Sequence, residues 1–235
     1  MKKFVPWHVG FCAAVALFTS GCVTEKPHQP IPKTTKIGVV SLLGQSQFVL
    51  SENSAPSKVN APGNKYQYAH PLPGEALDDK LTQDIVEHLK QEGYQNVQAI
   101  SLPPNTNPVQ ALKNRPDLTM ILVISPDDGK APQKKLSLSN DETVFGYGLY
   151  FNDSPDKPET YAYLNYDISV YRAKDLDLVS NAFYSQKNEL SGTHFVSNYH
   201  DLPTKTVAEL NDWVHQNASS IIERQALETL NFSVA

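Results

Sequence analysis

The segment Glu159–Tyr171 constrains this chain more tightly than any other stretch. Ala162, Leu164, Tyr166, Ile168 and Val170 alternate with Tyr161, Tyr163, Asn165, Asp167, Ser169 and Tyr171. Successive side chains of a strand point to opposite sides of a sheet. Strict alternation of this kind specifies an antiparallel strand with one face on a core and the other toward solvent. Such a strand needs neighbours. Thr143–Phe151 before it and Leu176–Gln186 after it are the nearest candidates, reached across a Pro-rich turn and the turn Arg172–Asp175.

The first half of the chain follows a different pattern. Ile37–Leu43 and Leu118–Ile124 are continuous apolar runs suited to strands buried on both faces, and Gln47–Leu50 and Val97–Leu102 read as further strands. Leu77, Leu81, Ile85 and Leu89 recur at helical spacing within Glu75–Glu92. Acidic Glu75, Asp78 and Asp79 stand at its positive end, and Gly93 fits the position after its C-cap. Pro108 opens a short helix to about Asn114. A long helix follows from Lys205 to Leu230, with Thr206 and Glu209 at capping-box spacing and Leu210, Val214 and Ile222 on one face. These elements predict an α+β fold: a single two-layer domain over residues 36–235, a mixed sheet with helices on one face. Residues 51–74 are rich in Ser, Asn, Pro and Gly and include Tyr66 and Tyr68. A loop of that length is expected to be functional or unstructured.

The N-terminus carries an address. Met1-Lys2-Lys3, the apolar run Phe4–Phe18 and the small residues Thr19-Ser20-Gly21 have the layout of a secretory signal peptide. The run is shorter than the roughly 20 apolar residues of a membrane-spanning helix. Leu17-Phe18-Thr19-Ser20-Gly21-Cys22 resembles the lipobox of bacterial lipoprotein precursors, although Thr19 stands where that family usually has an aliphatic residue. The resemblance implies cleavage after residue 21, a diacylglycerol thioether and an acylated amine on Cys22, and a partner in the lipid bilayer. Val23 in place of Asp implies the periplasmic face of the outer membrane, with the inner membrane as the alternative. An ordinary signal peptide with a coincidental cysteine is the competing reading. Residues 22–35, with Pro27, Pro30 and Pro32, read as a semi-extended tether.

Charge and cysteine content exclude several function classes. The net charge is −5, and loss of Lys2 and Lys3 with residues 1–21 makes it −7. No basic surplus is present to attract nucleic acid. Cys12 lies in the signal and Cys22 is the lipidation candidate, so nothing remains for a disulfide or a cysteine-based zinc site. No cofactor is implied.

The element order also resembles the α/β domains of the TolB N-terminal region, CsgG and LpoB. The stretches that carry the resemblance are Ile37–Leu43, Leu81–Gly93 with Tyr94, Val109–Asn114, Asp117–Ile124 and Tyr161–Ser185. A second resemblance, through Ile37–Gly44 and Leu77-Asp78-Asp79, is to a group of uncharacterised secreted bacterial proteins. Both concern fold and bring no activity with them.

Candidate chemistry is sparse. Ser41 near the end of a buried strand, with Asp127 and Asp128 after another, is the only arrangement that suggests a hydrolase. A buried Ser bonded to backbone and an Asp-Gly turn account for the same residues. His194, His200 and Asp201 lack metal-site spacing, and no metal is expected. Exposed tyrosines favour interaction surfaces, so Tyr147, Tyr161, Tyr163 and Tyr171, with Tyr66 and Tyr68 of the loop, are the candidate interaction residues. The competing reading is that a loop or the C-terminal helix covers the sheet face. The functional expectation is a membrane-anchored periplasmic lipoprotein acting as a non-enzymatic binding or assembly module of the cell envelope, with an envelope protein as partner. An envelope hydrolase around Ser41, Asp127 and Asp128 is the alternative.

Overall fold

The computed structural model describes residues 30–50, 68–72, 76–102, 107–113, 115–126, 146–152, 159–190, 196 and 199–231. Cys22, Tyr66, Asp127, Asp128 and His194 lie outside the described residues, as do the signal segment and most of the loop 51–74. Among the described residues eight strands form one mixed sheet: β1 (Lys36–Ser41), β2 (Gln47–Leu50), β3 (Tyr68–Pro71), β4 (Asn96–Ala99), β5 (Met120–Pro126), β6 (Gly146–Asn152), β7 (Glu159–Arg172) and β8 (Leu178–Glu189). The helices are α1 (Asp78–Gln91), α2 (Pro108–Leu112), a single 3-10 turn at Tyr199–Asp201 and α3 (Thr204–Asn231). The domain is α+β, as the element order predicts. β3 falls inside the stretch expected to be loop.

Register explains how eight strands make a narrower sheet. β7 pairs with β8 along one edge. Its other edge is shared by two strands placed end to end: Glu159–Asn165 pairs with β6 and Tyr166–Arg172 with β5. The chain leaves this line after Pro126, opposite Tyr166, and rejoins it at Gly146, opposite Asn165. β1 and β2 repeat the arrangement one step out, lying parallel to β5 and β6 respectively. The break between β1 and β2 is a short kink at residues 42–46, where Gly44 has φ +70°, a conformation that glycine adopts without Cβ strain.

Two faces of this sheet are buried. Ile37, Val39, Leu122, Ile124, Leu164, Ile168 and Val170 join the apolar stripes of α1 and α3 in the main core. α1 contributes Leu81, Ile85, Val86 and Leu89, each worth about 1.5–3 kcal/mol when fully buried. Its end is fixed by a Schellman pair: Gly93 N–H donates to the Lys90 carbonyl and Tyr94 N–H to that of Leu89. α3 presents Leu210, Val214, Ile222, Ala226 and Leu230. Across the core the Tyr166 hydroxyl bonds Gln225 of α3, and Tyr166 stacks on Tyr184 of β8 at 5.6 Å between centroids. The other face holds Val40, Ile121, Val123 and Leu112 of α2.

The two faces follow from handedness. β4 lies on one side of β1 and β5 on the other, so the connections β1–α1–β4 and β4–α2–β5 step in opposite directions. Crossovers of one hand must then place their helices on opposite faces. The two long helices accordingly share one face, and the single turn of α2 lies on the other. The end of the expected tether, residues 22–35, packs on the domain. Ile31 is 6 % exposed in the core, its N–H donates to the Leu230 carbonyl, and Lys33 sits 3.8 Å above the Tyr94 ring centroid. The domain thus holds its chain from Ile31 onward.

Candidate functional site

The reversal of step direction opens a crevice at the carboxyl end of β1. In open α/β sheets this switch point is where ligands bind. Here it contains Ser41, Asp78, Asp79 and Thr82 in a cavity of about 290 Å³ closed by Ile100 and Leu102. A second cavity of about 310 Å³ adjoins it through Asp79, Thr82 and Ile100 and reaches Ser101 and Gln83.

Asp78 organises the crevice. Its Oδ1 accepts the Ser41 hydroxyl at 2.6 Å and the Leu43 N–H at 2.8 Å, and its Oδ2 accepts the Gly44 N–H at 3.0 Å. Thr82, one turn further along α1, accepts the Ser41 N–H through Oγ1 at 3.0 Å. The Tyr147 hydroxyl reaches the kink from β6 and donates to the Gly44 carbonyl at 3.0 Å. Burial, with a smaller push from the Asp78 charge, raises the Tyr147 phenol to about 12. The kink between β1 and β2 is thereby tied on one side to α1 and on the other to β6. Asp78 also opens a helix whose N-terminal amides favour negative charge. The sequence marks Asp78 and Asp79 as helix-start residues; it carries no local sign that Asp78 reaches back across 37 residues to Ser41.

The tyrosine surface expected from alternation requires correction. Tyr161 is 6 % exposed, and Tyr163, Asn165, Asp167 and Ser169 are buried as well. Tyr161 and Tyr163 form a small cluster with Val49 and Tyr150. Tyrosine carries enough apolar ring to be buried or exposed, so alternation between aliphatic and tyrosine does not identify a wet face. β7 is a central strand covered on both sides. Tyr147 is not on that face at all. It pairs with Leu164, and directly paired residues share a face, so Tyr147 belongs to the main core. Tyr68 pairs with Leu50 as part of β3.

Of Tyr147, Tyr161, Tyr163 and Tyr171, Tyr171 is the one that is half-buried. It lines an apolar cavity of about 300 Å³ with Leu42, Val109, Leu112, Val123 and Leu176. Val109 is 55 % exposed there, and Leu176 holds φ +59° at the turn into β8. His200 and Asp201 are exposed. Among the described residues no group of three His, Cys, Asp or Glu is placed to hold a metal, and no helix is long and apolar enough to cross a membrane.

These features define an α+β domain with a polar crevice at its switch point and an apolar cavity beside it. No protein-family model and no curated protein sequence matches this chain. Among solved structures it is similar to a protein from Xanthomonas campestris described by the family model DUF330, at 10 % identity over 87 % of this chain and 88 % of that one, with a TM-score of 0.42. It is also similar to PelC from Paraburkholderia phytofirmans, solved as a dodecamer, at 8 % identity over 88 % and 95 % of the two chains, with a TM-score of 0.32. An uncharacterized protein aligns at 10 % identity over 83 % and 95 %, again with a TM-score of 0.32. Likeness at this level carries no argument about activity.

Proposed function

We propose that this chain is a lipid-anchored protein of the cell envelope whose domain binds a partner protein rather than catalysing a reaction. One observation carries the non-catalytic reading. Ser41, the candidate nucleophile, donates its hydroxyl to Asp78, and the same carboxylate holds two backbone N–H groups of the kink. The pair is engaged in joining β1 to α1. A nucleophilic serine needs a base free to take its proton in the transition state. The address rests on the lipobox-like segment ending at Cys22: an acylated Cys22 gives two or more chains, enough for stable anchoring, on the periplasmic face of the outer membrane.

The binding surface in this reading is the apolar cavity around Tyr171, Val109 and Leu176, which suits an aliphatic or aromatic side chain of an envelope protein. A photocrosslinker at Val109 in intact cells should give one discrete protein adduct that Tyr171→Ala weakens. An adduct pattern unchanged by Tyr171→Ala would remove this surface. Cys22→Ala should abolish acyl labelling and leave unprocessed precursor, and normal processing of that variant would remove the anchor. A second reading, a hydrolase at Ser41, draws on the polar crevice. It requires Ser41 to react with a fluorophosphonate probe, and an unlabelled protein would end it.

A further inference from the structure

Among the described residues β8 pairs with β7 alone, and no other described strand lies along its outer edge. The Leu190 N–H donates to the Thr160 carbonyl, which sets the phase of the ladder. With Tyr161 opposite Glu189, the even-numbered residues of β8 exchange hydrogen bonds with β7. Asn181, Phe183, Ser185, Lys187 and Glu189 then direct their N–H and C=O groups away from it. Exposed edges of this length are normally guarded by charge, proline or shortness. The first nine residues of β8, Leu178–Gln186, contain neither charge nor proline, and charge enters only at its end with Lys187 and Glu189. The opposite margin of the sheet is guarded: β3 and β4 have four residues each, and β3 ends at Pro71.

We propose that this edge pairs with the same edge of a second copy of the chain, antiparallel about a two-fold axis beside Ser185. A two-fold perpendicular to the sheet keeps each face on its own side, so outward-pointing odd residues meet odd residues. Centred on Ser185, the register sets Phe183 against Lys187 and Asn181 against Glu189, and no like charges face each other. The helix layer fits the same axis. Arg224 and Glu228 are exposed on α3, 3.9 Å apart. They lie over β8, where both charges act on the Tyr184 hydroxyl and the neighbouring Thr229 Oγ1 lies 3.5 Å from it. The two-fold turns α3 antiparallel to its mate and brings Arg224 of one copy toward Glu228 of the other. This charge complementarity selects a second copy over an unrelated strand. Pairing β8 to the β4 margin would be heterologous and would not close at two.

The test uses the full chain purified in detergent. Ser185→Cys should give a disulfide-linked dimer on mild oxidation, because the paired Cα atoms lie about 5.5 Å apart. Val109→Cys, exposed but off the edge, serves as the control. Arg224→Glu should weaken dimerisation about tenfold in sedimentation equilibrium by creating two like-charge contacts, and the double variant Arg224→Glu/Glu228→Arg should restore it. Asn181→Pro removes an outward N–H that β7 does not use and should leave a folded monomer. A wild-type chain that stays monomeric throughout the accessible concentration range overturns the proposal. So does equal cross-linking of Ser185→Cys and Val109→Cys, or an Arg224→Glu dimer as tight as wild type.

Discussion

Replacing Asp78 with Ala tests the claim that the crevice is a clasp. The substitution leaves the Ser41 hydroxyl and the Leu43 and Gly44 amides without their shared acceptor. A hydrogen bond to a charged group contributes about 1.5–3 kcal/mol. Asp78 is only partly buried, so water replaces some of what is lost and the three bonds do not add fully. Removal of a favourable charge from the first turn of α1 contributes about 0.3–1 kcal/mol more. The expected loss is about 3 kcal/mol, a large share of the roughly 5–15 kcal/mol typical of a domain. Urea unfolding should show a lower midpoint at unchanged slope, with faster hydrogen exchange at the Leu43 and Gly44 amides than at Ile85 or Leu89. Asp79→Ala, its exposed neighbour, should stay within about 0.5 kcal/mol of wild type. If Asp78→Ala and Asp79→Ala are equally stable, the clasp does not hold the kink, and the argument against a catalytic Ser41 fails with it.

Gly148→Ala should destabilise by more than about 3 kcal/mol or prevent folding, since a Cβ there would overlap the Gln47 backbone carbonyl; a soluble variant with wild-type urea midpoint would refute the β2–β6 packing. Stability should fall as pH rises above about 10, where tyrosines of the unfolded chain ionise. Burial holds Tyr147 to about 12 and raises Tyr166 further, so the unfolded state releases those protons first. Tyr147→Phe should flatten that alkaline slope, and an unchanged slope would show that the phenol is not buried. At the sheet margin, the Arg115 hydrogen bond holds the Asp117 carboxyl down at about 2. NMR titration of Arg115→Ala should move Asp117 back toward the ordinary carboxylate range; in wild type the pair's contribution is present above the unfolded pKa and fades as pH falls toward 2.

Some of this architecture is legible along the chain because it is encoded locally. The repeat Leu81, Ile85, Leu89 with Gly93 after it specifies α1 and its terminus, and the structure supplies the matching Schellman bonds. Pro108 predicts α2, where Asn107 caps the Gln110 N–H. β3 is missed because Tyr68–Pro71 is short and follows a Pro- and Gly-rich stretch; its strand character comes from pairing with Gln47–Leu50. The tyrosine face is misread for a related reason. Period 2 reports that two faces differ, and only the number of layers decides whether the polar one is wet. The clasp is legible only in part. Asp78 is visible as a helix-start acid, whereas its bond to Ser41 depends on where α1 is laid against β1.

The end-to-end strands explain why chemistry-bearing residues collect at the kink. β1 and β5 belong to a parallel half crossed by helices, and β6 belongs to an antiparallel half built on β7. Two such halves in one sheet must meet where both inner lines are interrupted: at residues 42–46 on one line and between Pro126 and Gly146 on the other. An interruption leaves backbone groups without ladder partners, and buried ones must find others. On the first line, Asp78 and Tyr147 supply them from the two adjoining elements. Ser41, the one described member of the set that suggests a hydrolase from the sequence, is bonded to the same Asp78 that serves this backbone. Among the described residues, Val109, Tyr171 and Leu176 beside the kink and the outward edge of β8 carry none of that duty, which is why the two proposed contacts are placed on them.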